Sequence, residues 1–136
     1  MSHWANDYIG IPWEKGAQGP DSYDCWAFVR MVQERHFGRV LPAIYVDALN
    51  LREVTRNFKQ HAEREHWALL SESEPRQDGD AVLMAHSSSP SHVGVFLTND
   101  GGGVLHCVRG IGVIYSNMVN LHNAGWGHLE FYRYKI

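Results

Sequence analysis

Apolar positions recur at helical spacing through the first half of the chain and alternate at strand spacing from Trp67 onward. In the first half, Cys25, Val29, Val32 and His36 share one face of a helix predicted to start near Ser22 or Asp24 and end at about Phe37. Trp26, Phe28 and Met31 widen its apolar surface, and Gly38 is a natural stop. A shorter helix is predicted from about His3 to Ile9, followed by a Gly/Pro-rich segment, Gly10 to Pro20, that contains Trp13. After Leu41-Pro42, residues Leu51, Val54, Phe58 and Ala62 repeat at helical spacing, and Asn50 with Glu53 gives a capping-box-like entry. The opposite face of that pattern carries Arg52, Arg56, Lys59 and Glu63 and reads as a solvated face rather than a partner-binding stripe.

Six strands are predicted in the second half: Trp67–Leu70, Asp80–Ala85, His92–Thr98, Gly103–Val108, Gly112–Ser116 and Leu129–Tyr134. Turn clusters punctuate them at 74–79, 87–91 and 99–103. Helices first and an antiparallel meander second predict an α+β fold, with the N-terminal helices packed on one side of the sheet. No repeat, low-complexity tract or linker interrupts residues 1–136, which are read as a single domain.

Composition narrows the function classes. A formal charge of −3 leaves no basic footprint, which argues against nucleic acid as the main partner. No apolar run approaches the ~20 residues of a membrane-spanning helix, so membrane insertion is not expected. The start, Met1-Ser2-His3-Trp4-Ala5-Asn6-Asp7, has neither a basic n-region nor an apolar h-region. The expectation is synthesis in a reducing compartment without a signal peptide, with both cysteines as free thiols.

The candidate chemistry centres on Cys25. It follows a turn-forming segment and Asp24, in the first turn of the predicted helix, where unpaired N–H groups and the positive dipole end favour a thiolate. His92 and His106 begin and occupy neighbouring strands fourteen positions apart, close enough in sequence for a Gly-rich hairpin to set them side by side. In this reading Cys25 attacks a carbonyl carbon, His92 takes its proton, and His106 holds the far nitrogen of the His92 ring. Alternation puts Gly94 on the His92 face, where it is expected to leave room for substrate. The backbone N–H of Cys25 is a candidate oxyanion donor.

Rival readings stand beside this one. A cysteine in an apolar helix is usually core, and a histidine at a strand start is usually at the surface. His86 is a second candidate base, although its place at a strand end beside a Ser-rich loop suits solvent better. His61, His66, His122 and His128 have no partner pattern. Cys25, His92, His106 and Cys107 would total four metal ligands, but no local ligand pair supports a metal site, and alternation turns Cys107 away from His106. Neither a metal nor any other cofactor is expected. The run Gly101-Gly102-Gly103 lacks the GK[ST] of a phosphate loop and reads as a hairpin tip.

At these residues the chain resembles the NlpC-type family of bacterial cell-wall cysteine peptidases, part of the papain-like clan. The carrying segments are Tyr8-Ile9-Gly10-Ile11-Pro12-Trp13, Tyr23-Asp24-Cys25, Leu41-Pro42, Asp78-Gly79-Asp80-Ala81-Val82-Leu83, His92-Val93-Gly94-Val95-Phe96-Leu97 and Val104-Leu105-His106. They occur in the family's order across nearly the whole chain. The resemblance implies a papain-like core and a Cys25-His92-His106 site hydrolysing amide bonds in peptidoglycan stem peptides, next to D-glutamate and diaminopimelate. Asp24-Cys25-Trp26-Ala27-Phe28-Val29-Arg30 and the Phe131-Tyr132-Arg133-Tyr134 ending look most like the branch attached to bacteriophage tails. That likeness implies tail proteins as partners and delivery to the wall by a virion. Two departures concern the site: Trp26-Ala27 replaces the family's Ser-Gly, and Trp13 stands where a Tyr usually lines the nucleophile. An indole donates a hydrogen bond but cannot accept one, which bears on substrate range and the second oxyanion donor.

Overall fold

A computed structural model describes residues 3–41, 53, 55, 56, 58–60, 67–87 and 90–135. The chain opens with a 3-10 turn, Trp4–Asp7, in place of the longer helix expected from His3 to Ile9. His3 caps that turn by accepting from the Ala5 N–H at 3.1 Å.

Helix α1 spans Cys25–Phe37. Asp24 is its N-cap, accepting from the Ala27 N–H at 2.7 Å, and Gly38 ends it in the left-handed conformation at φ 69°. Its buried face, with Trp26, Phe28, Val29 and Val32, follows the apolar periodicity of the sequence. Glu53, Thr55, Arg56, Phe58, Lys59 and Gln60 are helical, while Leu51, Val54 and Ala62 of the predicted pattern, and its polar residues Arg52 and Glu63, lie outside the described residues. Phe58 is fully buried against Trp26, Trp67 and Tyr132. Lys59 pairs with Glu130 at 3.1 Å, so that polar face is tied to the sheet.

Among the described residues, six strands form one antiparallel sheet: β1 (Trp67–Leu69), β2 (Ala81–Ala85), β3 (His92–Leu97), β4 (Gly103–Val108), β5 (Gly112–Asn117) and β6 (His128–Tyr134). Their order is β1-β6-β2-β3-β4-β5. Only β2 to β5 run as a meander. The last strand returns to lie between β1 and β2, which corrects the expected sequential arrangement. Its place is fixed partly by Arg133, whose guanidinium grips the buried Asp80 carboxylate through Nε at 3.0 Å and Nη2 at 2.8 Å. Such a two-point contact fixes direction as well as distance.

Strand alternation divides the interior into two clusters. One face of the sheet (Ala81, Leu83, Val93, Val95, Leu97, Leu105, Cys107, Val113) packs beneath α1 and Phe58. The other (Val82, Met84, Phe96, Val104, Phe131) packs with Leu121 of a short helix, α2 (Met118–Asn123). The helices therefore do not all lie on one side, because α2, unforeseen in the sequence, covers the second face.

Helix α1 packs on β3 and β4 with a definite direction. Gln33, in its third turn, donates to the Gly79 carbonyl at 2.9 Å, and Gly79 N–H in turn donates to the Phe96 carbonyl at 2.9 Å. The C-terminal half of the helix thus lies at the Leu97 end of β3. Its first turn, bearing Cys25, lies at the end where β3 begins with His92.

Candidate active site

At that end of the sheet two imidazoles meet. His92 Nε2 and His106 Nδ1 are 2.9 Å apart, and His106 Nε2 is 3.0 Å from Ser116 Oγ. The β3–β4 register explains the first contact. Val95 faces Leu105 and Phe96 faces Val104, so His92 and His106 leave the sheet on one face as diagonal neighbours. The β4–β5 register, with Val104 opposite Ser116 and His106 opposite Ile114, sets Ser116 diagonally beside His106 in the same way. All three side chains are buried.

Gly94 lies between the two histidines on that face, and its space is not open to substrate. A methyl there would collide with Val104 Cγ1 and come within 3.1 Å of His106 Cβ. The glycine is required by the close approach of β4, which corrects the expectation of room beside the base.

Two aromatic neighbours complete the cluster. Trp126 stacks with His92 at 5.3 Å between ring centroids and 18° between planes, and with His86 at 4.0 Å and 15°. His86 Nδ1 donates to the Gly125 carbonyl at 2.8 Å. His86 is exposed, as its strand-end position suggested, yet held in place. Ser116 and Trp126 went unread in the sequence. The only local signal for Trp126 is an indole between two glycines, and for Ser116 there is none.

Cys25 is three per cent exposed and belongs to the cluster beneath α1. Cys107 is in the same cluster, with its Sγ 3.4 Å from the Tyr23 carbonyl. Alternation separates it from His106 as anticipated. No hydrogen bond joins Cys25 to His92 or His106 among the described residues. The sulfur is on the α1 side of the sheet, whereas the imidazole pair projects from the opposite face at the same end. His92 Nδ1, the nitrogen not used by His106, makes no hydrogen bond among the described residues.

The protonation states follow from burial. Desolvation pushes the Cys25 thiol up to about 12, the Asp24 carboxylate and the Cys107 thiol add to the rise, and N–H groups of Trp26 and Cys25 itself offset only part of it. The expected thiolate at the helix start is therefore corrected: burial and the capping carboxylate outweigh the dipole. Burial lowers His92 well below the usual imidazole value, with His106 and His86 contributing, and lowers His106 to about 4. At neutral pH the thiol and both imidazoles are uncharged.

The remaining candidates flank the helix start. Asp24 is committed to capping Ala27, and burial raises its carboxyl above the ordinary range. Trp13 bridges to Tyr23 just before Asp24, and Arg109, on the turn after β4, lies over its ring at 5.8 Å. No three His, Cys, Asp or Glu side chains come together as a metal-ligand set among the described residues. No helix among them is long and apolar enough to cross a membrane.

Known proteins resemble the chain in sequence and in fold. The chain is 30% identical over 123 residues to the "Probable endopeptidase p60" of Listeria grayi and 28% identical over the same length to that of Listeria monocytogenes. Each alignment takes in 90% of this chain, which spans about a fifth of those relatives' length. Its fold is similar to the crystal structure of the NlpC/p60 domain of the peptidoglycan hydrolase SagA, with a TM-score of 0.56 and 21% identity over 94% of this chain and 90% of that one. Residues 10–128, from the segment before Trp13 to the start of β6, match the NlpC/P60 family, and the chain belongs to it.

Proposed function

We propose that this domain hydrolyses amide bonds in the stem peptides of peptidoglycan, with Cys25 as nucleophile, His92 as general base and acid, and His106 as the residue that orients His92. The observation that supports this best is the buried 2.9 Å contact between His92 Nε2 and His106 Nδ1, at the end of the sheet reached by the first turn of α1. Family membership and the names of the relatives point to the same chemistry. In the reaction the sulfur bonds to the carbonyl carbon while its proton passes to His92 Nδ1, which returns it to the leaving amine as the C–N bond breaks. A water that gives its proton to the same nitrogen then attacks the thioester, and the C–S bond breaks to restore the thiol. The Cys25 side chain must swing from the apolar cluster to the rim of the sheet to reach His92. In the structure, before any such movement, thiol and imidazole are both neutral. The bond next to D-glutamate and diaminopimelate is the proposed target, and a phage or phage-like tail the proposed carrier.

A second reading has its own support. The buried, protonated thiol, hydrogen-bonded to no imidazole among the described residues, suits a tail-assembly component whose hydrolase site is vestigial. Digestion of purified cell walls separates the two. The hydrolase reading predicts release of new amino groups by the wild type, loss by ~10³-fold or more in Cys25→Ala, and little change in Cys107→Ala. Equal release by wild type and Cys25→Ala would overturn it.

A further inference from the structure

His106 holds His92 at one edge, and that contact alone does not fix the ring. A hydrogen bond at Nε2 sets where that nitrogen lies. Rotation about Cβ–Cγ, a broad torsion for an imidazole, still swings Nδ1. Nδ1 is the nitrogen that must meet the thiol proton, so the tilt of the ring plane decides whether it is aimed at the sulfur. A flat neighbour against the ring face removes that freedom.

Trp126 is such a neighbour. Its ring lies 18° from parallel with His92 at 5.3 Å between centroids, the offset stacking that aromatic pairs prefer. His86 covers the indole in turn, at 4.0 Å and 15°. The three rings come from just after β2, just before β6 and the start of β3. The backbone around them is tied down. Trp126 N–H donates to the Leu121 carbonyl of α2 at 3.0 Å, and His86 Nδ1–H donates to the Gly125 carbonyl at 2.8 Å. Gly125 has φ 92°, and a Cβ there would come within 3.2 Å of His86 Nδ1, so a glycine lets His86 close on this loop.

We infer that Trp126 is a positioning residue that fixes the ring plane of His92, with His86 holding the indole in place. His86 is then a support and not a second base: a carbonyl engages its Nδ1, and it reaches the site through the indole. Trp126 takes no part in proton transfer; it acts through His92.

This inference deepens the hydrolase reading and rests on it for its catalytic meaning, but the restraint on the ring can be measured alone. Carbon-13 relaxation of ring-labelled histidines reports the ps–ns motion of each imidazole, and the His92 signal is the one missing from His92→Gln. In the wild type His92 should move as little as the backbone around it. Trp126→Leu keeps apolar cover but has no flat face. It should loosen the His92 ring and lower kcat on a defined muropeptide about ten- to a hundredfold, with KM changed less than about twofold. Trp126→Phe, which keeps a flat face, should restore both, and His86→Ala, a change at an exposed residue, should loosen the ring to a smaller degree. The His36 ring, stacked on Trp4 at 3.7 Å at the far end of α1, should keep its wild-type mobility throughout. A His92 ring as rigid in Trp126→Leu as in the wild type would overturn the proposal. So would a His92 ring already mobile in the wild type, or loosening of His36 together with His92, which would mark a general weakening of the fold. Should the wild type prove inactive on muropeptides, the hydrolase reading fails while the relaxation data still decide the role of Trp126.

Discussion

At the scale of single residues, the site is governed by desolvation more than by charge. Cys25 has the features that usually lower a thiol's pKa, a helix start and its own N–H groups, yet burial beneath α1 holds it near 12. Alkylation of Cys25 in the free protein should therefore be slow at about pH 6 and still climbing past about pH 9. Rapid labelling that is flat with pH from about pH 6 would instead reveal a resting thiolate–imidazolium pair. The pairing of His92 with His106 was legible in the sequence because a Gly-rich hairpin joins their two strands. Ser116 was not, because its contact depends on the β4–β5 register and on which face each side chain takes, and neither is written locally. The same limit applies to the directions of Cys25 and His92: alternation gives their faces only once α1 is known to cover the face of Val93.

At the scale of elements, α1 illustrates how one side chain serves two ends. Asp24 caps the helix and, by its charge, adds to the rise that burial gives the neighbouring thiol. Asp24→Ala should cost about 1 kcal/mol of stability in urea denaturation. The same variant should speed alkylation of Cys25, since a negative neighbour is gone. Unchanged alkylation would remove Asp24 from the electrostatics of the site. The periodicity of α1 and the alternation of the strands were readable because Gly, Pro and Asp clusters mark their ends. Helix α2 was missed since six residues with exposed Met118 and Val119 show no helical stripe. The return of β6 beside β2 was missed for a different reason: strand order is a long-range choice, set here by the Arg133–Asp80 contact and the two-sided packing of β2.

At the scale of the whole molecule, the neutral histidine pair couples stability to pH. His92 and His106 resist protonation in the fold, so below the ordinary imidazole value of 6.5 the unfolded chain binds more protons than the native one. The stabilisation is fully present above about pH 6.5 and is lost as pH falls toward about 4, where His106 protonates in the native state. His106 alone accounts for on the order of 3 kcal/mol over that span. Urea midpoints should fall steadily through this window, and the fall should shrink in His106→Gln. A midpoint flat between about pH 6.5 and 4 would show that the pair is not held neutral by burial.

The central claim is that Cys25 and His92 act as one unit across the end of the sheet. A double-mutant cycle on amine release from a defined muropeptide tests it most directly. Groups that share one proton fail together, so Cys25→Ala, His92→Gln and the double variant should lose about the same activity, ~10³-fold or more. Losses that multiply, or wild-type turnover in either single variant, would contradict the account.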